Sequence, residues 1–160
     1  MNAPKRKIIE KRHASALRNV SICQLESFLG IQLGKTFSDG TNGQSGPVIY
    51  SIYREKPIDP FRDTSPTPDL TVVYINGGWR LTFVELKSSV SEYTSDSVCD
   101  QKHRSMEFLK ERRYVRNFIQ SLGDKRLTPA NADQMFDAGI THHLAHVTKN
   151  GSLSPLPYGA

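Results

Sequence analysis

Apolar residues recur along this chain in two rhythms, one helical and one alternating or continuous. Ile22, Leu25, Phe28, Leu29 and Leu33 keep helical spacing, so a helix is expected from Ile22. Ser21 stands before it as an N-cap, its hydroxyl placed to accept from a first-turn amide, and Gly34 is the expected stop. The segment 35–46 is rich in Gly, Ser and Asn and reads as a loop. Val48 to Tyr53 is a β-branched and aromatic run, hence a strand. Residues 57–68 hold four prolines and form an irregular connector. Leu70–Ile75 is a strongly apolar strand, Asn76-Gly77-Gly78 a turn that tolerates positive φ, and Trp79–Leu86 the returning strand.

After a polar stretch at 88–97, residues 100–122 read as one long helix or two short ones. Phe108, Leu109, Val115, Phe118, Ile119 and Leu122 form the stripe, and Gly123 ends it. A short helix is expected near Ala132–Ala138 and a strand at Ile140–Thr148. Residues 1–19 read as a basic arm or short helix, 20–150 as one domain, and 151–160 as a flexible tail. The order helix, strand, hairpin, helix, strand predicts an α/β protein with a mixed sheet flanked by helices.

Composition narrows the picture. A chain of 160 residues suffices for one core, and its formal charge of +5 favours a polyanionic partner such as nucleic acid while also being compatible with plain solubility. Two cysteines far apart, Cys23 and Cys99, fit a reducing compartment and argue against a cysteine-built zinc site. No apolar run follows the basic N-terminus, and no stretch reaches the roughly 18 apolar residues that span a membrane. A cytoplasmic setting is expected, or a nuclear one in a eukaryotic context, where Pro4-Lys5-Arg6-Lys7 resembles a short import signal. No membrane partner is expected.

The candidate chemistry sits on the hairpin, TPDLTVVYINGGWRLTFVELKSS. Alternation along the second strand puts Leu81, Phe83, Glu85 and Lys87 on one face. Asp69 begins the partner strand, and an antiparallel hairpin brings its open ends together, so Asp69 falls near Glu85 or Lys87. Two carboxylates can hold Mg²⁺ (or Mn²⁺), which keeps waters of its own, beside a phosphodiester. A lysine there can orient the water or offset developing negative charge. The plain alternative makes Asp69 a turn residue and the Glu85/Lys87 pair a solvated strand end.

Glu26 adds a third carboxylate. At about 100° per residue, with Ile22 at about 0°, Leu29 falls at about 340°, Leu33 at about 20° and Glu26 at about 40°. An acid among core-facing residues needs a cation, a metal or a hydrogen-bonding partner, unless it reaches solvent at the stripe's edge.

Pro68-Asp69, then Glu85-Leu86-Lys87, with Glu26 on the preceding helix, resembles the PD-(D/E)XK nuclease superfamily. That group includes restriction enzymes, Holliday-junction resolvases, phage nucleases and TnsA-type transposon endonucleases. The match covers roughly residues 20–90, and the motif is short. It implies a restriction-endonuclease-like sheet core with helices on both sides and Mg²⁺- or Mn²⁺-dependent phosphodiester hydrolysis. By that pattern Asp69, Glu85 and the Leu86 backbone carbonyl are metal ligands, Lys87 is the catalytic lysine and Glu26 the helix acid.

For the substrate, Lys102, Arg104, Lys110 and Arg113 on the 100–122 segment are candidate nucleic-acid contacts, or else a solvated basic face. The resemblance also brings Gln101 and Lys102 into reach of the site. DNA is favoured over RNA as the partner. Cap-snatching endonucleases share the core and add an early histidine, a part His13 would play, and this is the RNA-directed alternative. A non-catalytic binding or assembly subunit is the second alternative, and a basic phage adaptor a third. A homodimer or partner protein is compatible with all of these. His142, His143 and His146 lie on a strand at spacing poorly suited to one zinc ion, so packing or surface roles are expected for them.

Overall fold

The computed structural model describes residues 8–9, 20–38, 46–62, 65–87, 95–148 and 152–156, with side chains described from residue 20 onward except for 95–101. In chain order the elements are β1 (Ile8–Ile9), α1 (Ile22–Leu33), β2 (Val48–Arg54), β3 (Leu70–Ile75), β4 (Trp79–Lys87), α2 (Ser95–Phe108), α3 (Arg112–Ser121), α4 (Pro129–Ala138), β5 (Thr141–Val147) and β6 (Leu153–Leu156). The strands form one mixed sheet in the order β1-β2-β3-β4-β5-β6. Five of them form its body and the two-residue β1 extends one edge.

Strands β2, β3 and β4 are antiparallel neighbours, whereas β4 and β5 are parallel. A parallel return needs a crossover, and α2, α3 and α4 supply it. The sheet is covered on both faces. On one, α1 packs Leu25, Phe28 and Leu29 against Ile52, Val72, Val84 and Ala145. On the other, Leu109, Val115, Phe118 and Met135 pack against Tyr53, Val73, Leu81 and Phe83. A register irregularity between Ile49 and Ser51 lets Tyr50 and Tyr53 share this second face despite their odd spacing.

Element boundaries follow local chemistry. Ser21 accepts from the Gln24 amide at 3.1 Å, and Gly34 closes α1 at φ 66°, its N–H donating to the Gly30 carbonyl. The 100–122 segment breaks into two helices around Leu109–Glu111. Helix α4 starts earlier than its apolar pattern suggests, because Thr128 and Asn131 form a reciprocal capping box and Pro129 occupies the first turn.

Two strands at the sheet's edges lie in segments where the sequence pattern predicts none. Within the N-terminal arm, Ile8 and Ile9 form a strand parallel to β2. In the C-terminal segment, Leu153–Leu156 pairs antiparallel with β5, and Pro155 is tolerated because it lies on an edge. Both segments satisfy backbone groups of a neighbouring edge strand, a demand that their own composition does not reveal. Among the described residues no helix is long and apolar enough to cross a membrane. Cys23 is a free, exposed thiol; the Cys99 side chain lies outside those described.

Gly30 tests the packing of α1. A Cβ there would lie 2.8 Å from the Lys35 carbonyl oxygen, a backbone atom whose chain is tied back by the Lys35 N–H to Gly30 carbonyl bond of 3.0 Å. Ala within a helix ordinarily gains up to about 1 kcal/mol over Gly, but overpacking against backbone costs about 1–3 kcal/mol. Gly30→Ala is therefore expected to lower Tm by several degrees. A Tm that stays level or rises would show that the 35–37 turn yields.

Candidate active site

The β3–β4 hairpin places the acids by register alone. Leu70 pairs with Val84 and Thr71 with Phe83. One further step sets Asp69 opposite Glu85. The alternation of β4 follows the expected pattern: Leu81 and Phe83 face α2–α4, while Val84 and Leu86 face α1. Glu85 and Lys87 therefore belong to the α2–α4 side, at the hairpin's open end. Pro68 is buried immediately before the strand.

Asp69 is half-buried, and its Oδ2 accepts from the Leu86 amide at 2.7 Å. This bond fixes the carboxylate against β4. Glu85 is 5 % exposed. Its carboxyl is pushed up to about 9, first by burial and next by the negative charge of Asp69, with the Lys87 ammonium pulling the other way. A solvated strand end is thus excluded for Glu85; it is a buried acid held against a second acid. The arrangement favours either a shared proton or a cation between the two carboxylates.

Behind Glu85 lies a residue for which the sequence suggested only packing or surface roles. His142 pairs with Phe83 across the β4–β5 ladder and so shares the Glu85 face. Its Nε2 is 4.0 Å from Glu85 Oε1, and its side chain has no exposed surface. Burial, followed by the positive charge of Lys102, lowers its pKa to about 3, so the ring is neutral at ordinary pH. Only the parallel β4–β5 register reveals this contact. His143 points to the other face, against Phe28 and Gln32 of α1.

Glu26 is placed differently from its partners. The buried residues of α1 are Leu25, Phe28 and Leu29, so the core face is centred on them and not on Ile22. Glu26 lies on the flank, half-buried, and lines a cavity of about 600 Å³ with Cys23, Gly30 and Phe37. Among the described residues no three His, Cys, Asp or Glu side chains form a cluster able to hold a metal ion, so Asp69 and Glu85 meet as a pair and Glu26 does not complete a triad.

The basic candidates separate as well. Lys102 is half-buried beside His142 and His143. Arg104 is exposed, Lys110 pairs with Glu107, and Arg113 pairs with Glu111 at 3.0 Å while lying over the Tyr114 ring. Arg104 and Lys110 line a groove of about 570 Å³ between the β2–β3 connector and α2. His13 and the Gln101 side chain lie outside the described residues. His146 is half-buried opposite Lys87 in the β4–β5 ladder.

The connector begins beside the carboxylates. The Glu55 N–H donates to the Asp69 carbonyl at 3.0 Å, extending the β2–β3 ladder by one rung. Glu55 has φ 49°, an uncommon conformation for a residue other than glycine, and it turns the chain away from the sheet at this point.

Family models, curated proteins and solved structures were each compared with the chain, and none matches.

Proposed function

We propose that the protein is a metal-dependent endonuclease of the PD-(D/E)XK type, with a restriction-endonuclease-like core, hydrolysing phosphodiester bonds, DNA being the favoured substrate. The observation that carries the reading is the apposed pair Asp69 and Glu85, with Lys87 on the same face as Glu85. Two carboxylates packed together and partly withdrawn from water repel each other, and a divalent cation relieves that repulsion directly. The donor set therefore fits Mg²⁺ or Mn²⁺. The order of elements supports the same reading: one helix, three antiparallel strands, then helices and a strand parallel to the third.

In this reading Asp69, Glu85 and the Leu86 carbonyl hold the ion, which when bound lowers the pKa of a coordinated water and offsets charge on the phosphate. The chain's own contribution is positional. The Leu86 amide fixes the Asp69 carboxylate, and the strand fixes Lys87 two residues beyond Glu85, where its ammonium stabilises negative charge developing on the phosphate. His142 backs Glu85 as a neutral ring. In this reading Glu26 takes part only once α1 or its side chain has moved toward the pair.

Incubation with supercoiled, linear, branched and single-stranded DNA and with RNA, in Mg²⁺, Mn²⁺ or EDTA, tests the proposal. Cleavage of at least one substrate that needs the metal is expected. Metal-independent cleavage would overturn it. Binding without cleavage under every condition would favour the non-catalytic subunit instead.

A further inference from the structure

His146 is the penultimate residue of β5, as Lys87 is the last of β4, and the two form one rung of the parallel β4–β5 ladder. Residues paired across a ladder share a face of the sheet. On β5, Ala145 and Val147 turn toward α1, whereas His142 stands with Phe83 on the opposite face. His146 therefore belongs to the α2–α4 side, together with Glu85 and Lys87. Leu144 is level with Glu85, so His146 is offset by two residues toward the strand ends. Two residues along a strand span about 6.6 Å and one strand across about 4.8 Å, which puts the His146 Cα roughly 8 Å from that of Glu85.

Lys87 and His146 are alike in a second respect. Among the described residues, neither side chain makes a hydrogen bond or an ion pair, and both are partly exposed. Elsewhere the basic groups are committed: Lys110 to Glu107, Arg113 to Glu111, Arg116 to Asp133 and Arg126 to Asp124. The other two histidines of β5 are committed as well. His143 lies between Gln32 and Thr141, and His142 lies against Glu85. The rung neighbours of His146 are Lys87 and Ser154, neither of them an acid. Two uncommitted donors thus stand side by side at the carboxyl ends of parallel strands, where ligands reach an α/β sheet.

The chemistry of that rung suits a phosphodiester strand. Lys87 is near enough to Glu85 for its charge to act on that carboxyl, so it addresses the phosphate held beside the carboxylate pair. His146 stands one strand further over, on the side of Lys87 away from Asp69. An imidazole presents at least one N–H donor whether it is neutral or charged. A hydrogen bond from it to an ionised phosphate oxygen is stronger than one between neutral groups. A chain with one charge per nucleotide brings a second phosphate to that donor when the first is seated at Lys87.

We propose that His146 is a substrate-contacting residue, donating an N–H to a non-bridging oxygen of the phosphate next to the one that is cut, so that Lys87 and His146 together seat the strand across the ends of β4 and β5. This deepens the nuclease reading and rests on it. The contact transfers no proton and holds no metal; it fixes where the strand lies relative to Asp69 and Glu85.

The full chain, His146→Ala and His146→Gln are compared on a DNA oligonucleotide that the wild type cleaves in Mg²⁺. His146→Ala is expected to lower kcat/KM roughly tenfold to a hundredfold, the worth of one hydrogen bond to a charged group. His146→Gln keeps an N–H donor and should recover most of that loss. Magnesium affinity by calorimetry should be unchanged in both variants, and the melting temperature should move little, because His146 is partly exposed. A second series carries one neutral methylphosphonate, stepped along the strand. At the phosphate next to the cut, the modification should slow the wild type and add nothing to the loss in His146→Ala.

A His146→Ala variant that cleaves like wild type overturns the proposal and leaves the nuclease reading standing. So do losses that add at every phosphate, which would make His146 a structural residue only. Weaker magnesium binding in His146→Ala also overturns it, by moving the imidazole to the metal. No cleavage of any nucleic acid by the wild type in Mg²⁺ or Mn²⁺ removes the nuclease reading and this contact with it.

Discussion

Asp69→Asn is expected to abolish metal-dependent cleavage while leaving the protein folded. The two parts of this result have separate physical origins. Asparagine keeps a side-chain carbonyl oxygen at the position of Asp69 Oδ2, so the 2.7 Å bond from the Leu86 amide survives. What disappears is one of two negative charges. Without it Glu85 faces less repulsion, holds a cation less tightly and leaves the proposed ion with one carboxylate.

Loss of a single preorganised charge-stabilising group typically costs roughly 10²–10³-fold in rate. Lys87→Ala is expected in that range, and Asp69→Asn at or beyond its upper end. Rates with the cleaved substrate, circular dichroism and calorimetry of magnesium binding separate the effects. Unchanged cleavage in both variants would sink the site assignment. Glu26→Gln serves as the contrast. Glu26 lines a cavity to which neither Asp69 nor Glu85 contributes, so a smaller effect than at Asp69 is expected. An equally large loss would show that α1 brings its acid to the pair on binding substrate.

The second large effect is on stability against pH in the absence of divalent metal. Glu85 is raised from 4.5 to about 9, so between these values the folded state holds a proton that the unfolded state releases. Its stabilising contribution is complete below 4.5 and is lost as pH rises toward 9. His142 acts in the opposite sense. Lowered from 6.5 to about 3, it is neutral in the folded state where the unfolded chain takes up a proton, so its contribution is complete above 6.5 and is lost as pH falls toward 3.

Between 4.5 and 6.5 the two slopes oppose each other; above 6.5 Glu85 acts alone. The metal-free protein should therefore melt highest between those limits and lose on the order of a few kcal/mol toward pH 9. Glu85→Gln should flatten the alkaline limb, and His142→Gln the acid one. Added Mg²⁺ or Mn²⁺ should raise Tm most at alkaline pH, where binding captures the ionised acid that folding otherwise penalises. An alkaline limb unaltered by Glu85→Gln would show that another group carries it.

Local signals carried much of the secondary structure. Ser21, Gly34, the Asn76–Gly78 turn and the limits of β3 are decided by groups within a few residues of one another, and the structure reproduces them. The break between α2 and α3 and the early start of α4 are local too, but they depend on cap geometry that apolar spacing does not register. Strand β1 escaped because its partner, β2, is distant in sequence, and β6, although it pairs with the adjacent β5, because Pro155 breaks its strand pattern.

The site divides along the same line. Period-two alternation and a hairpin turn are enough to put Asp69, Glu85 and Lys87 at one end of one hairpin, and the sequence determined that much by itself. Only the tertiary structure decided that Glu85 is buried, because the α2–α4 side chains that cover its face of the sheet come from segments further along the chain. The same holds for His142, delivered by a parallel register that no local pattern encodes, and for Glu26, whose direction depends on which face of α1 meets the sheet. Spacing fixes which side chains share an element's face; what stands opposite that face is set by long-range packing, and with it the charge that a buried acid can bear.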